Sequence, residues 1–159
     1  MSTQPDQSHP ARAADEREVR ALYQQLLSSW NERNAHAFAA LFSEDGHSIG
    51  FDGSAISGQA EIESHIRQIF SDHQTGTYVG KIRDVRFLGA DIALLRAVCG
   101  MIPPGQADLN PAVNTIQTVV AVRHDQTWRV ELFQNTPAQF HGRPDLVRQL
   151  TDELRELLT

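Results

Sequence analysis

One cysteine, Cys99, stands in 159 residues. That excludes an intrachain disulfide and a multi-cysteine zinc site, and it points to a reducing, cytoplasmic compartment. Lysine is as scarce. Of 14 basic residues, 13 are arginine and Lys81 is the one lysine, a poor basis for Schiff-base chemistry. Long apolar runs are missing. The longest aliphatic stretch is Val119-Val120-Ala121-Val122, whereas a membrane span needs ~20 apolar residues, so no membrane partner is expected. Met1 to Glu16 is polar and lacks the apolar core of a secretory signal. A basic stripe is absent too. The net charge is −6, from 14 basic against 20 acidic residues, which argues against nucleic acid as a partner. What remains is ordinary globular composition, 40% hydrophobic and 21% charged, in a length that suits a single domain.

Residues 1–14, rich in Gln, Ser, Pro and Asp, are expected to be a disordered tail, and residues 15–159 the folded domain. From Asp15 on, Val19, Leu22, Tyr23, Leu26, Leu27 and Trp30 recur at helical spacing. Asn34 is placed to cap a short second helix carrying Phe38, Leu41 and Phe42. Asp45-Gly46 signals a turn, residues 47–52 a short strand, and Ser57-Gly58 opens a third helix with Ile62, Ile66, Ile69 and Phe70 on one face. After Gly76 the period drops to about 2. Strands are expected over 77–88, 92–102, 113–123 and 127–136. A last helix starts near Pro144, with Leu146, Leu150, Leu154, Leu157 and Leu158 as its stripe. This order predicts an α+β fold: a cone-shaped barrel of a curved, mostly antiparallel sheet with helices on its concave side. Strands apolar on both faces call for a second cover, the simplest being a partner subunit.

A cone that side chains do not fill is a ligand cavity. A tight turn at Asp125-Gln126 registers Gln117 opposite Gln134, two amides facing an apolar interior. Buried amides need partners. The two either satisfy each other or orient a ligand carbonyl or hydroxyl. In the preceding hairpin Asp84 opposes Arg96 as a surface or interface pair, and Cys99 and Met101 share the inward face, as cavity lining or as plain core. Nothing in the spacing activates Cys99 as a nucleophile. Seven histidines include no i, i+4 pair with a third ligand, and neither a Gly-rich phosphate cradle nor a Gly-x-Ser-x-Gly elbow is present. No metal and no cofactor are expected.

Trp30-Asn31 through Leu41-Phe42, Asp45-Gly46, Asp52-Gly53, Gly58 through Ile62, and Trp128-Arg129-Val130 through Gln134-Asn135-Thr136-Pro137 together resemble the SnoaL-like branch of the nuclear transport factor 2-like superfamily. Within it the chain is most similar to the SgcJ/EcaC family of enediyne antibiotic gene clusters. The resemblance implies a cone-shaped barrel, a homodimer through the sheet, a hydrophobic pocket and a place in polyketide biosynthesis. Ketosteroid isomerase relatives carry an Asp base on the first strand and a Tyr donor on the first helix. Those positions fall here on Gly50 and Leu26, which cannot do that work, while Ser48 would face the pocket and Gly50 would widen it. Asp52 and Asp72 are the remaining acidic candidates.

Two functions follow as expectations. One is an accessory protein that binds an apolar polyene or polyketide intermediate through Tyr23, Trp30, Phe42, Ser48, Cys99, Met101, Gln117 and Gln134. The other is an isomerase or cyclase using His47, Asp52 or Tyr23 as acid or base. A purely structural dimer module is a third class.

Overall fold

The computed structural model describes residues 10–159. The expectation for residues 1–9 lies outside the described residues. Helix α1 spans Pro10–Asn31, so it takes in residues 10–14, which composition alone assigns to the tail. Its apolar stripe is buried as the spacing requires: Val19, Leu22, Tyr23, Leu26 and Leu27 all lie in the core. Arg33, with φ of 57°, reverses the chain after it. The Arg33 guanidinium then donates to the carbonyls of Phe70 and His73. Helix α2 (Ala35–Ala40) starts where Asn34 Oδ1 accepts from the Ala37 N–H at 3.0 Å.

Strand β1 runs over Phe42–Ile49, β2 over Ala55–Ser57, and α3 over Gln59–Asp72. Strands β3 (Thr77–Phe87), β4 (Ile92–Ile102), β5 (Thr115–His124) and β6 (Thr127–Pro137) follow, then α4 (Pro144–Arg155). They form one six-stranded sheet in the order β2-β1-β6-β5-β4-β3, curved and not closed. All neighbours are antiparallel except β1 and β6, which run parallel. The turn signals predict the first strand over 47–52. It begins instead at Phe42, because β6 supplies the backbone partners: Phe42 pairs with Val130 and the Val130 N–H donates to the Leu41 carbonyl.

The β5–β6 turn has positive φ at both Asp125 (49°) and Gln126 (67°), the geometry that matches the right-handed twist of a two-residue hairpin. Near the turn the pairing follows from it, with Ala121 opposite Val130 and Val122 opposite Arg129. Beyond Glu131 it does not. An extra residue enters β6 between the Ala121–Val130 and Val120–Leu132 pairs, so Gln117 faces Asn135 and Thr118 faces Gln134. Each residue of β6 past this bulge changes face. Phe133 and Asn135 become buried, while Gln134 lies half-buried on the other side. The expected Gln117–Gln134 pair is thereby corrected. The β3–β4 hairpin keeps the expected Asp84–Arg96 pair, with the Arg96 Nε donating to Asp84 at 3.0 Å.

Helices α1, α2 and α3 share the main core with the inward residues of β3–β6. Helix α4 lies on the opposite face. Leu150 and Leu154 pack there against Val98 and Leu109, and Thr151 Oγ1 accepts from the Asn114 side-chain amide at 2.8 Å. At its edge Glu153 is 3.0 Å from Lys81 and also binds Arg83. The second cover required by two apolar sheet faces is therefore partly this helix. It leaves the cross-strand row Leu94, Val120 and Leu132 half-buried. Among the described residues no helix is long and apolar enough to cross a membrane.

Candidate functional site

Between α3, the β1–β2 loop and the concave sheet lies a cavity of about 430 Å³. It is of the size that holds a small organic ligand. Its walls are largely carbon: Trp30, Phe38, Ile56, Ile69, Met101 and Phe133 all contribute. Exposed Phe51, Asp52, Ser54 and His65 also line it, so it opens on the β1–β2 loop and α3 side.

The aromatic wall is built around Trp30 at the end of α1. Its ring lies 5.2 Å from Phe70, 5.2 Å from Tyr78 and 6.3 Å from Phe38, centroid to centroid, within the range of favourable aromatic contact. Its indole N–H donates to the Gly76 carbonyl at 3.3 Å. The next residue, Asn31, anchors Tyr78 by both backbone groups: the Tyr78 N–H donates to Asn31 Oδ1 at 2.8 Å and the Asn31 amide donates to the Tyr78 carbonyl at 3.1 Å. One helix end thus positions both rings.

A polar chain crosses the core behind this wall. The Tyr23 hydroxyl donates to Gln117 Oε1 at 2.5 Å, and Gln117 Nε2 donates to Asn135 Oδ1 at 2.7 Å. Tyr23 and Gln117 are fully buried, and Asn135 is the member that reaches the cavity. Burial raises the pKa of the Tyr23 phenol, with Cys99 and Tyr78 adding to it. Burial raises that of Tyr78 as well, against the Asn135 amide beside it, which favours the phenolate. Both phenols are therefore neutral hydrogen-bond donors. The Cys99 thiol is pushed up to about 12 by burial and donates weakly to the Gly100 carbonyl at 3.4 Å, so it is protonated and inert as a nucleophile.

Of the residues expected at the site, Trp30, Ser48 and Met101 line the cavity. Tyr23, Phe42, Cys99 and Gln117 are fully buried outside its lining. Gln134 is on the far side of the sheet, moved there by the bulge at Glu131. Gly50 and Asp52 both border the opening. Asp52 is fully exposed, and hydrogen bonds from Ser54, its backbone N–H first, hold its carboxyl below the usual range. His47 points away, its Nδ1 2.9 Å from Ser57 Oγ, and Asp72 is exposed at the end of α3, outside the lining. Tyr78, Asn135 and Phe133 were missed. The β6 bulge hid the last two. Tyr78 was hidden in the same way: the irregularity between Ile82 and Asp84 sets it opposite Met101, where the Asp84–Arg96 register alone would place Val79.

Residues 19–134 match the family model described as a SnoaL-like domain. No curated protein matches the chain. Among solved structures, a domain of unknown function with a cystatin-like fold from Nostoc punctiforme is 29% identical, with a TM-score of 0.76, and the match covers 91% of this chain and 96% of that one. A provisional scytalone dehydratase from Novosphingobium aromaticivorans is similar at 14% identity and a TM-score of 0.67, over 80% of this chain and 86% of that one. A ketosteroid isomerase-like protein from Erwinia carotovora atroseptica is similar at 15% identity and a TM-score of 0.62, over 79% and 97%. At 14–15% identity the likeness is one of fold.

Proposed function

The chain belongs to the SnoaL-like domain family, and on that premise we propose that its cavity binds an apolar small molecule, a polyene or polyketide intermediate of enediyne-type biosynthesis. The carrying observation is the cavity itself: about 430 Å³, walled by Trp30, Phe38, Phe133, Ile56, Ile69 and Met101, with Asn135, Tyr78, Ser48 and Thr115 as its inner polar groups. Apolar surface leaving water contributes ~25 cal/mol per Å² before the cost of association, which is the driving force such a lining offers. The motifs shared with the SgcJ/EcaC family support the polyketide assignment. The test is native mass spectrometry of the protein co-expressed with its neighbouring biosynthetic genes. A retained polyene-sized molecule is expected, and a protein that emerges empty while polyene titration leaves its tryptophan fluorescence unchanged contradicts the reading.

A second reading, isomerase- or dehydratase-type catalysis, draws on the names of the Novosphingobium and Erwinia relatives and on Asp52 and His65 at the opening. Against it stand Gly50 and Leu26 where a base and a phenol would sit. The exposure and lowered pKa of Asp52 also make it a weak base. Unchanged mass and spectrum of a polyketide product after incubation with the protein would dispose of it.

The homodimer is likewise a proposal. The half-buried row Leu94, Val120 and Leu132 on the sheet face beside α4 is the surface a second copy would cover. Sedimentation of Val120→Asp against the unaltered protein tests it, a shift to monomer being expected.

A further inference from the structure

The direction of the buried hydrogen-bond chain decides which polarity the cavity offers a ligand. A neutral phenol has one hydrogen to give, and an amide has an acceptor end and a donor end. The Tyr23 hydroxyl gives its hydrogen to Gln117 Oε1. Gln117 must then turn Nε2 toward Asn135, and it does, at 2.7 Å from Asn135 Oδ1. The Asn135 oxygen is thereby committed inward, and its NH₂ is the end left for the cavity wall. Reversing one amide would set two donors or two acceptors face to face, and reversing both would take from the buried Tyr23 hydrogen its oxygen acceptor; in a buried place an unmade hydrogen bond is costly. Beside this NH₂ stands the Tyr78 phenol. The Asn135 amide lies near enough to favour the phenol's ionised form, and as a neutral phenol Tyr78 has a hydrogen to give. Tyr78 also lines the cavity. Two donors, Asn135 and Tyr78, therefore face a cavity whose other buried polar groups are the Ser48 and Thr115 hydroxyls.

We propose that the cavity selects an apolar molecule carrying a hydrogen-bond-accepting oxygen, a ketone or ester carbonyl, held by the Asn135 amide N–H and the Tyr78 hydroxyl, and that Tyr23 and Gln117 act as positioning residues fixing this polarity from within the core. The inference rests on the binding reading above and adds to it the chemical class of the ligand's polar end. Tyr23 never touches the ligand. Its effect is to stop the two amides from turning over.

The test uses a matched pair of probes, 2-acetylnaphthalene and 2-ethylnaphthalene, which share an aromatic body and differ in the carbonyl. Their affinities are measured by calorimetry on the full chain. A net hydrogen bond to a neutral donor corresponds to up to about a tenfold preference for the ketone. The unaltered protein is expected to show that preference. Asn135→Leu and Tyr78→Phe should each lower the ratio of ketone to hydrocarbon affinity. Tyr23→Phe should pull the ratio toward one although no atom of the wall has changed, an effect that loss of packing alone does not produce. If Tyr23→Phe fails to fold, the Asn135 side-chain amide resonance of the unaltered protein serves instead. It should move on adding the ketone and stay on adding the hydrocarbon. Equal affinity for both probes overturns the inference and leaves the binding reading standing. A ketone preference untouched by Tyr23→Phe overturns the positioning role. Binding of neither probe removes the binding reading and this inference with it.

Discussion

Gly80 on β3 faces Tyr23 on α1 so closely that a Cβ built on the glycine would lie 2.5 Å from the phenol oxygen. The same Cβ would also lie 2.5 Å from Leu27 Cδ1. This absence of a side chain lets the edge strand close over the buried end of the hydrogen-bond chain.

Gly80→Ala is therefore expected to displace the Tyr23 ring. Overpacking of a filled core costs about 1–3 kcal/mol, so the melting temperature should fall by several degrees. The ketone preference of the cavity should fall with it. Differential scanning calorimetry and the probe pair measure the two effects.

Tyr23 and Tyr78 are the chain's two tyrosines, and the pKa of each is raised above the ordinary value of 10.0, by burial first. The unfolded chain ionises near pH 10 while the native phenols hold their protons. The unfolded state then binds fewer protons, and stability falls as pH rises above 10. A spectrophotometric titration should show no phenolate band in the native protein at pH 10, followed by a cooperative rise that coincides with loss of circular dichroism. An ordinary titration curve centred near 10 contradicts the buried placement.

Glu153 on α4 is held down to about 2 by Arg83 foremost and by Lys81. A depressed carboxyl contributes stability above its unfolded value of 4.5, and the contribution is lost as pH falls from 4.5 toward 2. Glu153→Gln should thus melt below the unaltered protein at neutral pH, with the gap closing across that window. The gap is small, because the three side chains are partly exposed and salt screens them. Melting curves at low ionic strength and at a series of pH values check the sign.

Trp30 and Trp128 are the two tryptophans, and they lie apart in function. Trp30 lines the cavity, whereas Trp128 packs on Phe87 and lies near Asp15. A polyene should quench only the emission that Trp30→Phe removes. Trp30→Ala, which loses three aromatic neighbours, should weaken polyene binding by about tenfold or more. Gln134→Ala, on the far side of the sheet, should change it little.

Much of this architecture was legible because turns and periodicity are local. The helical spacing from Val19 to Trp30, the Asn34 cap and the Asp84–Arg96 pair each follow from a few neighbouring residues. What escaped was non-local. Phe42–Ile49 lacks a strand's alternation and is held by a parallel neighbour some 85 residues on, as the pairing of Ser48 with Phe133 shows. The bulge at Glu131 leaves no mark in the turn that precedes it, yet it exchanged Gln134 for Asn135 at the cavity. Reading Gln117 as inward and buried was within reach of pattern alone. Identifying its partner required the bulge.

Lys81 gives the chain a single ε-amine, and that amine is shared between the sheet edge and α4 through Glu153. An acylating or reductively methylating reagent aimed at lysine therefore marks one side-chain position. The rate of that marking becomes a chemical readout of how firmly Glu153 engages the amine.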